Sequence, residues 1–107
     1  MFSIAPGVSI RGLRTEALLG LIVASDIFAA ENLKAVVTSA TSGVHGVGSL
    51  HYLGLAFDLR TKDLSLVTAQ YLKDKIKAAL GDEFDVILET NPPHLHVEYD
   101  PKKAINT

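Results

Sequence analysis

Two segments of the chain place apolar residues three or four positions apart, which is the spacing of a helix with one apolar face. The first begins at Thr15, a residue type suited to capping a helix, and runs to about Asn32. The second begins at the capping residue Ser65 and runs to about Leu80, where Gly81 supplies a stop signal. Its residues predicted to face inward are Ala69, Leu72, Ile76 and Leu80. The pattern therefore predicts two helices that can pack against a common core.

Four shorter segments are typical of strands, because they are rich in β-branched residues or alternate apolar and polar positions. They cover residues 34–39, 55–60, 84–89 and 94–99. Side chains alternate between the two faces of a strand. Asp58 is therefore expected to point away from the core, and His94 and His96 are expected to share one face. This order of elements predicts an α+β fold, in which two helices pack on an antiparallel sheet.

Length and composition are those of one compact domain. The chain has 107 residues, and an apolar fraction of 48% is enough for one core. We expect this single domain to span residues 1–107. Pro6, Gly7 and Gly12 predict an irregular segment at 1–13, and residues 101–107 are expected to form a loose tail.

Charge and residue usage exclude several classes of function. A net charge of −2, with acidic and basic residues mixed along the chain, argues against binding nucleic acid through a basic face. With no cysteine, the chain has no disulfide, thiolate zinc site or cysteine nucleophile. The apolar stretch 17–30 contains Asp26 and is too short to span a bilayer. We interpret it as a core helix and expect no membrane partner, with a signal peptide or membrane segment as the alternative.

The most informative polar residues are histidines and one aspartate in two short segments. His51 and Asp58 lie in residues 51–58, and His94 and His96 lie in residues 93–98. Imidazole and carboxylate groups suit a catalytic Zn²⁺, which takes three protein ligands and leaves one position for water. This clustering predicts a metal site and hydrolytic chemistry.

Convergence of these side chains requires the backbone to turn between them. Gly54 allows such a turn between His51 and Asp58, and His96 offers a third ligand from a neighbouring strand. The alternative is that His51 is an exposed loop residue and that Asp58 is a surface carboxylate paired with Arg60. For that alternative to hold for all three residues, His51, Asp58 and His96 would each have to occur in this arrangement by independent coincidence.

Both segments resemble the motifs of a known family. Ser49-Leu-His-Tyr-Leu-Gly-Leu-Ala-Phe-Asp-Leu-Arg60 resembles the Ser-x-His-x-x-Gly-x-Ala-x-Asp motif of zinc peptidases that cut peptidoglycan stem peptides. Pro93-His-Leu-His-Val-Glu98 resembles the His-x-His of their second motif. The family includes D-alanyl-D-alanine carboxypeptidases and phage L-alanyl-D-glutamate endolysins, and it shares its core fold with the hedgehog domain. The likeness covers roughly residues 36–100, with both motifs in the family's order.

The resemblance implies a role for each matching residue. His51, Asp58 and His96 would be the zinc ligands. His94 would lie beside the metal-bound water, where it could orient the water or stabilise the oxyanion. The alternative for His94 is a strand histidine that merely faces solvent.

The chain departs from the family pattern at the catalytic base. Several branches place an acidic residue three positions before the last zinc histidine, where this chain has Pro93. We take Glu89 as the substitute base, with an ordinary surface glutamate as the alternative. If His94 rather than His96 were the last zinc ligand, the residue three positions before it would be Asn91. Asparagine cannot act as a base.

A second departure concerns substrate binding. Relatives place an arginine upstream of the first zinc histidine, and residues 41–50 contain none. His45, Ser42 and Ser49 are the candidate substrate-binding residues in this segment, although His45 is equally compatible with an ordinary loop residue. Without the arginine, cleavage of an internal bond is easier to account for than strict carboxypeptidase activity.

The sequence thus predicts a zinc-dependent metallopeptidase that hydrolyses peptidoglycan stem peptides containing D-amino acids, as a D,D-carboxypeptidase or an endolysin-like endopeptidase. By resemblance, we expect a small monomeric phage or prophage enzyme, soluble in the host cytoplasm before phage-assisted release, or carried in the virion. One alternative is a catalytically inactive zinc-binding structural or binding module of the same fold. Another is a metal-free interaction domain.

Overall fold

In the residues that the structure describes, the protein folds as one five-stranded sheet and two helices. The structure is a computed structural model, and it describes residues 1–41, 51 and 53–101. The elements are, in order, β1 (Phe2–Ile4), α1 (Thr15–Ala30), β2 (Ala35–Ser39), β3 (Ala56–Arg60), α2 (Leu66–Leu80), β4 (Phe84–Thr90) and β5 (Pro93–Tyr99). The predicted α+β class, with two helices on a mainly antiparallel sheet, is confirmed.

The strands lie in the order β1-β2-β3-β5-β4. Three of the four pairings are antiparallel, and β1 pairs with β2 in parallel. The sequence prediction of an irregular segment at 1–13 is therefore wrong for Phe2–Ile4. Three residues are too few to display a strand period, and their pairing partners in β2 lie more than thirty positions away along the chain.

The two helices begin in different ways. Ser65 caps α2 as predicted, because its hydroxyl accepts a hydrogen bond from the Thr68 backbone N–H, and Gly81 follows the last residue. Thr15 is not the cap of α1. Arg14 occupies that position without a side-chain capping bond, and its backbone N–H donates to the Gly54 carbonyl at 2.8 Å. A tertiary contact with the segment before β3 thus fixes the start of α1.

Both helices pack on the same face of the sheet. The core joins fully buried strand residues, such as Phe57 and Leu95, to helix residues such as Phe28 and Leu72. All the residues predicted to face inward from α2 contact this core, three of them buried and Leu80 partly buried. Neither α1 nor α2 covers the opposite face of β3 and β5, where the polar side chains of these two strands lie.

The core interpretation of residues 17–30 is also confirmed. Six residues of α1 are buried, including Leu21 and Phe28. Within residues 1–41, 51 and 53–101, no helix combines the length and the apolar character needed to cross a bilayer.

Candidate metal centre

Asp58 and His96 lie directly opposite each other on neighbouring strands. Asp58 is in β3, and His96 is its cross-strand partner in β5. Opposing residues of an antiparallel pair project from the same face, with their Cβ atoms about 5 Å apart. On either side of them in sequence, Phe57, Leu59, Leu95 and Val97 are fully buried in the core. Strand alternation therefore places Asp58 and His96 on the face away from the helices.

A turn at Gly54 brings His51 close to Asp58 and His96. The Gly54 N–H donates to the His51 carbonyl at 3.1 Å, and Gly54 has a φ of +74°. A side chain at Gly54 would also collide with the Gly12 carbonyl oxygen. The predicted turn is thus present. It leaves His51 only 4% exposed, so His51 is not an exposed loop residue.

The ligand atoms of these three residues form a compact triangle. His51 Nε2 lies 3.3 Å from His96 Nδ1 and 3.4 Å from Asp58 Oδ1, and His96 Nδ1 lies 2.9 Å from Asp58 Oδ1. Tetrahedral zinc with ligand distances of about 2.0–2.1 Å would hold its ligand atoms about 3.3 Å apart. The three residues form a group that can hold a metal ion.

Hydrogen bonds behind the triangle fix which nitrogen of each ring faces it. His51 Nδ1 donates to the Ala40 carbonyl at 2.8 Å, which leaves Nε2 for the triangle. His96 Nε2 donates to Glu98 Oε1 at 2.6 Å, which leaves Nδ1. Such partners orient metal-binding imidazoles and make them more basic. Sequence analysis missed this role of Glu98, although its spacing of two residues from His96 puts both on one face.

The triangle also perturbs the ionisation of its members. Burial opposes ionisation of Asp58, but its interactions with the neighbouring His51 and His96 imidazoles outweigh that effect and hold the Asp58 pKa well below its usual range. The hydrogen bond to Asp58 raises the pKa of His96 to about 9, against the effect of burial and with help from Glu98. In the metal-free protein at neutral pH, His96 is therefore a cation that donates to two carboxylates.

His94 lies beside the triangle and is not part of it. Its Nδ1 donates to the Pro92 carbonyl at 2.8 Å, and its Nε2 lies 3.9 Å from Asp58 Oδ2. That distance is longer than a hydrogen bond. His96, rather than His94, thus completes the metal-binding group. The second nitrogen of His94 remains available to a molecule bound next to Asp58.

Glu89 shares the face but lies one strand further away. It is the cross-strand partner of His94 in β4, so both side chains project from the same side of the sheet. Glu89 is exposed, and no hydrogen bond or ion pair joins it to the triangle in the part of the chain that the structure describes. The other predicted site residues, Ser42, His45 and Ser49, lie outside the described residues.

The predicted alternative partner of Asp58 is not found. Among the described residues, no acidic group lies within 4.0 Å of the Arg60 guanidinium, and the side chains within 4.0 Å of the Asp58 carboxylate include three imidazoles. Arg60 instead lies opposite His94 and lines a groove beside the triangle. The interpretation of Asp58 as a surface carboxylate paired with Arg60 is therefore wrong.

The chain matches no protein-family model, no curated protein and no solved structure. Its fold class and its metal-binding group follow from the sequence and the geometry alone. Membership of the peptidoglycan peptidase family stays a prediction based on the two motifs.

Proposed function

We propose that the protein is a zinc-dependent peptidase that hydrolyses peptidoglycan stem peptides containing D-amino acids. The observation that carries this proposal is the triangle of two imidazole nitrogens and one carboxylate oxygen, 2.9–3.4 Å apart. Three nitrogen and oxygen ligands are typical of catalytic zinc, whereas structural zinc sites usually have four ligands and include cysteine. The substrate class comes from the resemblance of the two motifs.

The chain's own residues would hold and orient the metal. His51, Asp58 and His96 would be the ligands, with both rings fixed from behind by Ala40 and Glu98. When bound, zinc would act as a Lewis acid and make a nucleophilic water available near neutral pH. Ionised Asp58 would offset part of the metal's charge.

His94 is the better placed of the two candidates for moving protons. Because its Nδ1 donates to Pro92, a neutral His94 carries its free lone pair on Nε2, on the side of Asp58. It can accept a proton there and return it to the leaving amine. Glu89 is the second candidate, and a rotation of its exposed side chain across the strand would be needed to bring it to the same place.

The alternative function is a zinc-binding module of the same fold without catalytic activity. One observation favours it: within the described part of the chain, no hydrogen bond or ion pair joins Glu89 to the three ligand residues. In that case the metal would stabilise the native protein, as any ligand of the folded state does, without turning over a substrate.

Hydrolysis of purified muropeptides by the zinc-loaded protein, followed by mass spectrometry, tests the proposal. We expect products that have gained one water at a single type of peptide bond, and the position of that bond separates carboxypeptidase from endopeptidase activity. The metal-free protein and the Asp58→Ala variant should both be inactive. Intact muropeptides after incubation with fully zinc-occupied protein would instead support the inactive module.

The biological context of the enzyme is proposed only from the resemblance of its two motifs to those of the peptidoglycan peptidases. We propose a small phage or prophage lytic enzyme that acts as a monomer on cell-wall peptides.

A further inference from the structure

A polar groove runs along the sheet next to the metal-binding triangle. It has a volume of about 360 Å³, and Asp58 and His94 line it on the side of the triangle. Arg60 and Lys62 line it further along β3 and beyond the end of that strand. The groove thus joins a metal ligand and a candidate proton carrier to two cationic side chains.

Neither cation in this groove has an acidic partner among the residues that the structure describes. Among residues 1–41, 51 and 53–101, no carboxylate oxygen lies within 4.0 Å of the Arg60 guanidinium or the Lys62 ammonium group. Arg60 is half-buried and Lys62 is exposed. A half-buried guanidinium without an acidic partner can bind an anionic ligand through two parallel hydrogen bonds, a geometry that suits carboxylates.

Basic and acidic side chains lie at opposite ends of this face. Beyond the triangle, on the side away from Arg60, Glu98 lies with Asp85 and Asp100 in a group whose carboxylate oxygens are within 4.8 Å of one another. An anionic group of a ligand would be attracted at the end with Arg60 and Lys62. The face therefore favours one orientation for a charged ligand that lies across the triangle.

We infer that Arg60, assisted by Lys62, binds a carboxylate of the substrate close to the bond that is cut. This inference rests on the proposed function, because the triangle defines where the bond would lie. Arg60 follows Asp58 by two residues on the same face, a separation of about 6.6 Å along a strand. An extended peptide spans about 3.3–3.6 Å per residue. The substrate class is thus a peptide with a free carboxylate one or two residues beyond the scissile carbonyl.

Equilibrium binding of two matched probes tests this subsite without requiring turnover. The probes are N-acetyl-D-alanyl-D-alanine and its C-terminal amide, titrated into the zinc-loaded protein at a concentration and temperature where hydrolysis is negligible. We expect the free acid to bind about tenfold more tightly than the amide, as loss of one charge-assisted pair would produce. Equal affinities, or no saturable binding of either probe, would overturn the inference.

Variants locate the carboxylate within the groove. Arg60→Gln should remove most of the preference for the acid while leaving zinc content unchanged, and Arg60→Lys should retain part of it. Lys75→Gln, which removes one charge from α2 on the opposite side of the sheet, should keep the full preference. An unchanged preference in Arg60→Gln would mean that the carboxylate binds elsewhere, for example directly to the metal, and would refute the subsite.

The two proposals fail in different experiments. Muropeptide hydrolysis without any preference for the free acid would overturn the subsite and leave the peptidase proposal intact. An Arg60-dependent preference in a protein that cuts no muropeptide would support the subsite and contradict the peptidase proposal.

Discussion

The Glu98 carboxylate lies 2.6 Å from Nε2 of His96, two residues earlier on the same strand. This contact holds the His96 ring with Nδ1 toward Asp58, at 2.9 Å. Glu98 would therefore tune the metal site without touching the metal.

Removing this support should weaken metal binding without abolishing it. For Glu98→Ala we expect a loss of zinc affinity of about 10- to 100-fold, the usual effect of losing a residue that orients a metal ligand. Competition with a chromogenic chelator measures the affinity. Glu89→Gln is a matched control, because it alters a glutamate on the same face that lacks contact with the ligands within the described residues. Equal affinities for the wild type and Glu98→Ala would argue against this role.

Alanine substitutions should distinguish the proposed zinc ligands from the neighbouring residue His94. His51→Ala and Asp58→Ala should each lose stoichiometric zinc after dialysis, whereas His94→Ala should retain it, because His94 lies outside the triangle. Elemental analysis of the purified proteins gives the zinc-to-protein ratio. Full occupancy in both of the first two variants would remove His51 and Asp58 from the site, and loss of zinc from His94→Ala would place His94 within it.

Zinc binding should release a proton. The pKa of His96 in the metal-free protein is raised from 6.5 to about 9, so the ring is protonated at neutral pH and must lose a proton before Nδ1 can bind a metal. We expect release of about one proton at about pH 7.5, and an affinity that rises with pH until it levels off near the His96 pKa. Calorimetric titrations in buffers of different ionisation enthalpy count the proton. An affinity independent of pH between about 6 and 8 would contradict the prediction.

The turn before β3 should tolerate no side chain at Gly54. Gly54→Ala combines a positive φ, which costs an L-residue about 1–2 kcal/mol, with a collision against the Gly12 carbonyl. Urea denaturation should therefore show a larger loss of stability than for Gly7→Ala, where φ is +80° but no atom lies within 4 Å of the added Cβ. Equal losses of stability in the two variants would mean that the turn at Gly54, next to His51, rearranges to accommodate the added side chain.

Two variants assign the proton carrier in muropeptide hydrolysis. His94→Ala should retain zinc and lose most of its turnover, about 10²-fold or more, which is the usual contribution of a general acid–base residue. Glu89→Gln should retain zinc as well. A similar fall in its turnover would give the base role to Glu89, and undiminished hydrolysis would leave that role to His94.

Local patterns were sufficient to predict most of this fold. Helical spacing defined α2 almost to the residue, because Ser65 and Gly81 mark its ends by side-chain capping and by backbone conformation. Strand alternation correctly placed Asp58, His94 and His96 on the face away from the core. These signals depend on neighbours within a few residues, which is why one sequence was enough.

Features that depend on distant contacts were harder to predict. The start of α1 is set by a bond between Arg14 and Gly54, and β1 exists only because β2 pairs with it. The cross-strand register that places Glu89 opposite His94, one strand away from the triangle, has no local signal either. The partnership of Glu98 with His96 could have been found from their spacing, since residues two apart on a strand share a face.

The separation of the sheet into a face that packs on α1 and α2 and a face that carries the proposed site has a practical consequence for protein engineering. Along both strands, core residues such as Phe57 and Leu95 alternate with half-buried residues of the opposite face, among them the proposed ligands Asp58 and His96. Arg60 lies on that face and is not a proposed ligand, so a library that varies it could alter specificity while the melting temperature of the scaffold is preserved.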